Sequence, residues 1–352
     1  MSKPSWPLPF IYVTAVNLYI TNLCNGRCPY CCLKNWITAD GRSSTHMSLS
    51  DLDRVIDWLN RSRVRNVQLL GGEPMIHPDI LEVVRKLVGK GVVIRTILTN
   101  GLADTELYRK VMAMTETTWL VNVNRPDAYT KAEWELVNRN LELLMWKGKD
   151  RLIEQGGFDE RSFSLQLAVN LYMPGQYGYI IDLAKKYDCP TIRYAPSHPS
   201  ADKSNLYVGS TDRGEVDFEG LKKLKQTLMD FVRNCVCEGI HPTLECVLPP
   251  CIFTTSEWRY LMLFSVGLRT ICPPDIEVMP DLGVECCVSM RGKLPVYRVG
   301  RMSVSEMLEH YWNDTMKYRD YALPPCRECK MFKNKTCQGY CLRFKADHVK
   351  MG

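Results

Sequence analysis

An α/β chain, a partial (β/α)6 TIM-like barrel followed by a small Cys-rich α+β domain, is predicted by three observations. Apolar strand-like runs alternate with amphipathic helical stretches through the first 200 of 352 residues. Polar and glycine-rich signals fall just after those runs, where parallel sheets place their sites. From about residue 240 the pattern changes to short strands, turns and dense cysteine.

The elements follow in order. Residues 13–21 read as the first strand. Ser48 or Ser50 caps a helix over 48–60, with Leu52, Val55, Ile56 and Leu59 on one face. Residues 67–70 form a short strand ending in Gly71-Gly72. Pro78 opens a helix bearing Ile80, Leu81, Val84 and Leu87, closed by Gly89 and Gly91. Residues 92–98 and 119–123 are the third and fourth strands. Trp134, Val137, Leu141 and Leu144 mark a helix after the fourth. Residues 163–171 and 191–194 are the fifth and sixth strands, with a helix over 179–187 between them. Residues 196–214, rich in Ser, Pro, Gly and Asp, read as a linker before a helix over 218–232. The expected division is 1–200 for the barrel, 201–240 for linker and helix, 241–345 for the Cys-rich domain and 346–352 for a tail. Met112 and Met114 are expected in the core.

Sixteen cysteines imply disulfides in a secreted chain and metal in a reducing compartment. Residues 1–10 lack the charged start, apolar stretch and cleavage site of a signal peptide, and no apolar run is long enough to span a membrane. A cytoplasmic protein is therefore expected. The cysteines cluster, four between 24 and 32 and eleven between 235 and 341, which favours metal. Cys189 stands alone as a buried small side chain, and Cys235 and Cys237 read as buried thiols at a helix end.

The first cluster is Cys-Asn-Gly-Arg-Cys-Pro-Tyr-Cys, directly after the first strand. Cys24, Cys28 and Cys31 can hold three corners of a cubic iron–sulfur cluster and leave the fourth iron for a small molecule. Zinc asks for four closed ligands, usually from paired knuckles, and adjacent Cys32 is a poor fourth. After the second strand comes Gly71-Gly72-Glu73-Pro74. The glycines allow close backbone approach to a ligand, and Glu73 offers a charge-assisted bond to an ammonium. Asn100, Asn122, Asn124 and Asn170 follow or end later strands; a cap or turn role competes with ligand contact at Asn100 and Asn170.

With Tyr30 before the last cysteine of the triad, these two motifs resemble the radical SAM superfamily. The resemblance implies a 4Fe-4S cluster on Cys24, Cys28 and Cys31, with S-adenosylmethionine bound at its open iron. It implies cofactor contacts from Tyr30, Gly71, Gly72, Glu73, Pro74 and the four asparagines. Asn122 and Asn124 stand where family members often carry Ser and Asp. A small reductase such as flavodoxin or ferredoxin is the implied electron donor.

The C-terminal cysteines, Cys326, Cys329, Cys337 and Cys341 in the spacing C-x2-C-x7-C-x3-C, by themselves permit a zinc ribbon. With Cys272 and the Cys286-Cys287 pair they resemble a SPASM domain, which holds auxiliary iron–sulfur clusters. The resemblance assigns Cys272, Cys287 and Cys341 to one cluster, completed by Cys251 or, second choice, Cys246. It assigns Cys326, Cys329 and Cys337 to another, whose usual downstream cysteine is missing here. An open site, His348, Asp347 or Cys286 would fill the gap, or there is one auxiliary cluster rather than two. Glu285 is a weak candidate for a general base, an exposed turn position being the simpler reading.

The resemblance implies reductive cleavage of S-adenosylmethionine, hydrogen abstraction, and oxidation or maturation of a peptide, amino-acid or sugar-like substrate. Val288 after Cys287, where sulfatase-maturating relatives carry Asp, argues against that activity. A nucleoside or nucleotide substrate is the enzymatic alternative, and a zinc-stabilised binding scaffold the non-enzymatic one. Seven Lys or Arg and two Asp or Glu from 326 to 352 give a local +5. That is a solvated face or a docking patch for an acidic donor or a phosphate-bearing substrate. No aromatic-interleaved basic stripe suggests a dedicated nucleic-acid partner.

Overall fold

A computed structural model describes Trp6 and residues 15–37, 45–154, 165–171, 176–196 and 218–349. Its strands and helices alternate as β1 (Val16–Tyr19), α1 (Leu49–Arg61), β2 (Asn66–Leu70), α2 (Ile80–Gly89), β3 (Val93–Thr99), α3 (Thr105–Met114) and β4 (Thr118–Asn122). The order continues with α4 (Lys131–Glu154), β5 (Leu165–Asn170), α5 (Gly178–Lys186), β6 (Thr191–Ala195) and α6 (Phe218–Cys237). Strands β1 to β6 pair in parallel in chain order, so the six βα units build the expected partial barrel, open rather than closed.

The physical basis is ordinary amphipathicity. Val16 and Leu18 of β1, Val67 and Leu69 of β2, and Leu165, Leu167 and Val169 of β5 are buried in alternation. Leu52, Val55, Ile56 and Leu59 of α1 cover them from outside. Ser48 caps α1 by accepting from the Asp51 amide at 3.1 Å.

Helix α3 does not stand out in the sequence. Its buried stripe is only Tyr108, Val111 and Met112, too short for periodicity to declare itself. Asp104 caps it by accepting from the Glu106 amide at 2.6 Å. Met112 is in the core as expected, and Met114 packs against it half-buried. The linker expected over 196–214 lies outside the described residues from 197 onward.

The sheet also crosses the boundary expected at 240. Strand β7 (His241–Leu244) pairs in parallel with β6. Strand β8 (Glu277–Val278) pairs in parallel with β1 at the other edge, followed by antiparallel β9 (Gly283–Glu285) and β10 (Tyr297–Arg298). The Cys-rich region thus supplies strands to both edges of one ten-stranded sheet. Helices α7 (Thr255–Phe264), α8 (Val304–Asp314) and α9 (Met316–Asp320) pack around these additions.

The tightest approach in the sheet lies at the carboxyl end of β2. A Cβ on Gly71 would meet the Thr21 carbonyl oxygen at 2.6 Å, and one on Gly72 the Leu23 oxygen at 2.2 Å. Both neighbours are backbone, so no side-chain rotation relieves the clash. Gly72→Ala should destabilise the apoprotein by about 3 kcal/mol or more. Gly89→Ala, at a helix position with nothing within 4 Å, should instead stabilise by about 0.5 kcal/mol. Urea denaturation of both variants measures the contrast.

Candidate cluster and cofactor site

After β1 the chain stays registered on the end of β2. The Ile20 amide donates to the Leu70 carbonyl at 3.0 Å, the Gly72 amide to Thr21 at 2.7 Å and the Glu73 amide to Leu23 at 2.8 Å. This zipper delivers Cys24 to the carboxyl edge of the sheet. Gly71 and Gly72 therefore admit the cysteine-bearing segment itself, a packing reason beside the ligand approach read from sequence.

Glu73 is 1% exposed, and its carboxylate holds protein groups. One oxygen accepts from the Met75 amide at 3.0 Å and the Thr99 hydroxyl at 2.8 Å, the other from the Asn100 amide at 2.7 Å. Burial nevertheless pushes its pKa up to about 7. The carboxylate expected to face a ligand's ammonium also clamps the ends of β2 and β3 together. Pro74 opens a buried 3-10 turn, Pro74–Ile76, that Glu73 caps.

Two cysteines of the triad, Cys24 and Cys28, flank Gly26. Cys24 Sγ accepts from the Gly26 amide at 3.3 Å. A Cβ on Gly26 would lie 3.4 Å from Cys24 Sγ, 4.0 Å from Cys28 Sγ and 3.1 Å from Asn100 Nδ2. That cradle, flanked by two sulfurs and kept clear by glycine, fits a sulfur-ligated cluster. Cys31 follows one turn on, its amide donating to the Cys28 carbonyl at 3.2 Å. Burial pushes the Cys24 thiol up to about 12 and Cys31 up to about 11, so only a strong cation such as cluster iron would hold them as thiolates. Cys32 packs with Tyr19, Leu33 and Trp36 in a small apolar cluster. Among the described residues no three His, Cys, Asp or Glu side chains sit close enough to grip a single metal ion.

A cleft of about 540 Å³ opens beside Cys28. Its wall is a polar chain across the ends of β4 and β5. Asn124 Nδ2 donates to Cys28 Sγ at 3.3 Å, and its Oδ1 accepts a short bond from the Tyr30 hydroxyl. Asn122 Nδ2 donates to that hydroxyl at 2.9 Å, and Asn170 Nδ2 donates to Asn122 Oδ1 at 3.3 Å. The structure thus joins Tyr30, Asn122, Asn124 and Asn170 into one network. Asn100 lies apart from it, donating to Asn25 Oδ1 at 2.9 Å and bracing the cysteine loop. Tyr129 and Tyr179, which sequence reading passes over, fix the same strand end. Tyr129 Oη accepts from the Asn124 amide at 2.9 Å, and Tyr179 donates to the Val123 carbonyl at 2.8 Å. Nothing in their local sequence marks them.

Residues 18–143 match the family model of the radical SAM superfamily. The chain carries a radical SAM domain. Among curated relatives, a GTP 3',8-cyclase of Rhizobium etli is 33% identical over 92 residues, 25% of this chain and 26% of that protein. The chain thus spans about a quarter of that relative's length. A GTP 3',8-cyclase of Chlorobaculum tepidum is 25% identical over 222 residues, 62% of either chain. Among solved structures, Streptococcus suis SuiB bound to S-adenosylmethionine superposes with a TM-score of 0.60 at 14% identity, covering 93% of this chain and 72% of SuiB. Native anSMEcpe with bound AdoMet gives 0.60 at 16%, covering 94% and 89%. Those two likenesses are of fold.

Beyond the radical SAM domain the difference from the sequence reading lies in Cys251 and Cys246. Cys251 lies within electrostatic reach of Cys326, Cys329 and Cys337. Cys246 lies near Cys272 and Cys341, as does Cys287. Cys286 is buried in the core near Tyr311. Cys235 is buried as expected, whereas Cys237 is exposed because it ends α6. Cys189 is buried, its thiol donating to the Thr191 carbonyl at 3.3 Å. Glu285 is not an exposed turn residue. It is buried in β9 and paired with Arg291 Nε at 2.9 Å, because β9 sits inside the sheet extension.

Between the radical SAM loop and these thiols lies Glu277, a carboxyl that sequence reading overlooks. It faces Glu285 across the β8–β9 pair, and its Oε2 has no partner among the described residues. Burial, then Asp275 and Glu285, hold its pKa well above the usual range. A lone Glu in the apolar run Ile276–Met279 was the available signal.

Glu73→Gln would set an amide beside donors that now share a carboxylate. It should destabilise the apoprotein by about 1–3 kcal/mol, read by chemical denaturation, even with no cofactor present.

Proposed function

We propose that this radical SAM enzyme cleaves S-adenosylmethionine reductively at a cluster on Cys24, Cys28 and Cys31 and abstracts hydrogen from its substrate. The observation that carries the reading is the sulfur-flanked cradle over Gly26, opening on a cleft walled by Tyr30, Asn124 and Asn170, with Asn122 bonded to Tyr30 and Asn170. When bound, the cluster would supply one electron to the sulfonium, giving methionine and a 5′-deoxyadenosyl radical. The chain's own residues position and shield. The Gly71-Gly72 backbone lies beside the cysteine segment and offers main-chain groups to the methionine end. Asn122, Asn124 and Asn170 offer amides to the ribose and adenine, with Tyr30 holding their orientation. The Asn124 side-chain amide, donating to Cys28 Sγ, fixes the position of that sulfur.

The C-terminal thiols support a SPASM-like domain with auxiliary iron–sulfur clusters. These would accept the electron left on the substrate radical once it loses a proton. Oxidation or maturation of a peptide, amino-acid or sugar-like substrate follows as the leading class. A flavodoxin- or ferredoxin-type donor would meet the basic surface around Arg327, Lys330 and Lys333. A nucleotide substrate is the second reading, favoured by the GTP 3',8-cyclases among the sequence relatives. Among the described residues no helix is long and apolar enough to cross a membrane.

Anaerobically reconstituted protein with dithionite and S-adenosylmethionine should release 5′-deoxyadenosine, and Cys28→Ala should abolish it. No release from iron-loaded wild type would sink the reading. Adding GTP, or a Cys-, Ser- or Thr-rich peptide encoded beside the gene, separates the substrate classes. The true class should raise 5′-deoxyadenosine formation severalfold and yield a product of altered mass.

A further inference from the structure

The sequence leaves one auxiliary site a ligand short, and the fold suggests where that ligand is. Cys251, Cys326, Cys329 and Cys337 lie in mutual electrostatic reach, every pair of the four included. Cys246, Cys272, Cys287 and Cys341 gather elsewhere: Cys272 and Cys341 each lie near the other three, and Cys286 lies near Cys272 and Cys287 from the core side. Among the described residues no such pairing joins one group to the other.

Each group has an independent sign of an anionic, sulfur-rich occupant. In the first, Gly339 adopts φ +94° and its amide donates to Cys337 Sγ at 3.3 Å. A Cβ there would lie 3.1 Å from Cys326 Sγ and 3.5 Å from Lys345 Nζ. Lys345 is 0% exposed, with its ammonium donating to the Arg319 carbonyl at 3.3 Å and lying over the Phe332 ring. The anion within its electrostatic reach among the described residues is the exposed Asp320 carboxylate, already paired with Lys335, and a cubic cluster on four thiolates would add compensating charge beside the buried ammonium. In the second, the buried Tyr340 hydroxyl has no hydrogen-bond partner among the described residues and lies near Cys246 and Cys341. It is placed to donate to cluster or cysteine sulfur.

The loop between Cys246 and Cys251 accounts for the division. Val247 bridges to Arg269, and the Leu248 amide donates to the Arg269 carbonyl at 3.2 Å, which ties Cys246 to the segment leading to Cys272. Pro249 and Pro250 then turn the chain into a 3-10 turn, Pro250–Ile252, that carries Cys251 away.

We propose that the C-terminal half builds two complete four-cysteine cluster sites, one from Cys246, Cys272, Cys287 and Cys341 and the other from Cys251, Cys326, Cys329 and Cys337. The inference rests on the auxiliary-cluster reading above and deepens it. Cys251 replaces the missing downstream cysteine, so His348, Asp347 and Cys286 are not needed as ligands. His348 is stacked on Tyr321, and Asp347 is paired with Arg343 and Lys293.

Iron content with Mössbauer spectra of anaerobically reconstituted protein tests the pairing. Cys251→Ala with Cys326→Ala should cost one cluster, about four irons, whereas Cys251→Ala with Cys272→Ala should cost two, about eight. The reverse pattern overturns the assignment. A retained response of the radical SAM cluster to S-adenosylmethionine, seen by EPR, certifies that a variant is folded. Alkylation of fully loaded wild type needs no variant: Cys246 and Cys251 should both be protected while Cys237 reacts. Equal reactivity of either with Cys237 overturns the proposal. Wild type holding iron only at the Cys24 triad would overturn this inference alone, and wild type without iron would overturn the radical reading as well.

Discussion

The backbone zipper between residues 20–23 and the end of β2 is the constraint on which the rest depends. Two carbonyls approach so closely that only glycine fits at 71 and 72. Because the contact is main chain against main chain, it sets the cysteine loop relative to the sheet before any metal enters. Glu73 reinforces it by bonding the amides of Met75 and Asn100 and the Thr99 hydroxyl. The motif is thus first a structural joint, and its service to a cofactor follows from the joint's position at the carboxyl edge.

The second theme is burial of groups that prefer to be charged. Cys24 and Cys31 are thiols lifted by desolvation, while Lys345 is a cation depressed to about 8 by the same cause. Arg319, also buried, donates to the Cys272 carbonyl at 2.7 Å and the Gln338 side chain at 2.6 Å, tying the two C-terminal cysteine groups together. Such an interior is costly to fold empty. Thiolates bonded to iron with cations set among them would offset each other's desolvation, which links cluster loading to stability.

The βα order was legible because each strand is apolar and each long helix carries a stripe of four or more core residues, as Leu52, Val55, Ile56 and Leu59 do in α1. Helix α3 was not legible, since three buried positions are too few to set a period. The extent of the sheet was also hidden. Strands β8 and β10 have two residues each, so their pairing is specified by neighbours distant in sequence and not by their own pattern.

The same division holds at the site. Spacing alone determined the Cys24, Cys28, Cys31 triad and its glycine partner motif, because local chain geometry brings ligands a few residues apart to one place. Which distant groups meet is a matter of packing. Only the folded chain joined Tyr30 to Asn122 and Asn124, turned Glu73 inward, buried Glu285 and Glu277 in adjacent strands, and sent Cys246 and Cys251 to different neighbours. Most of those contacts span tens of residues, and no local pattern encodes the path by which the backbone returns.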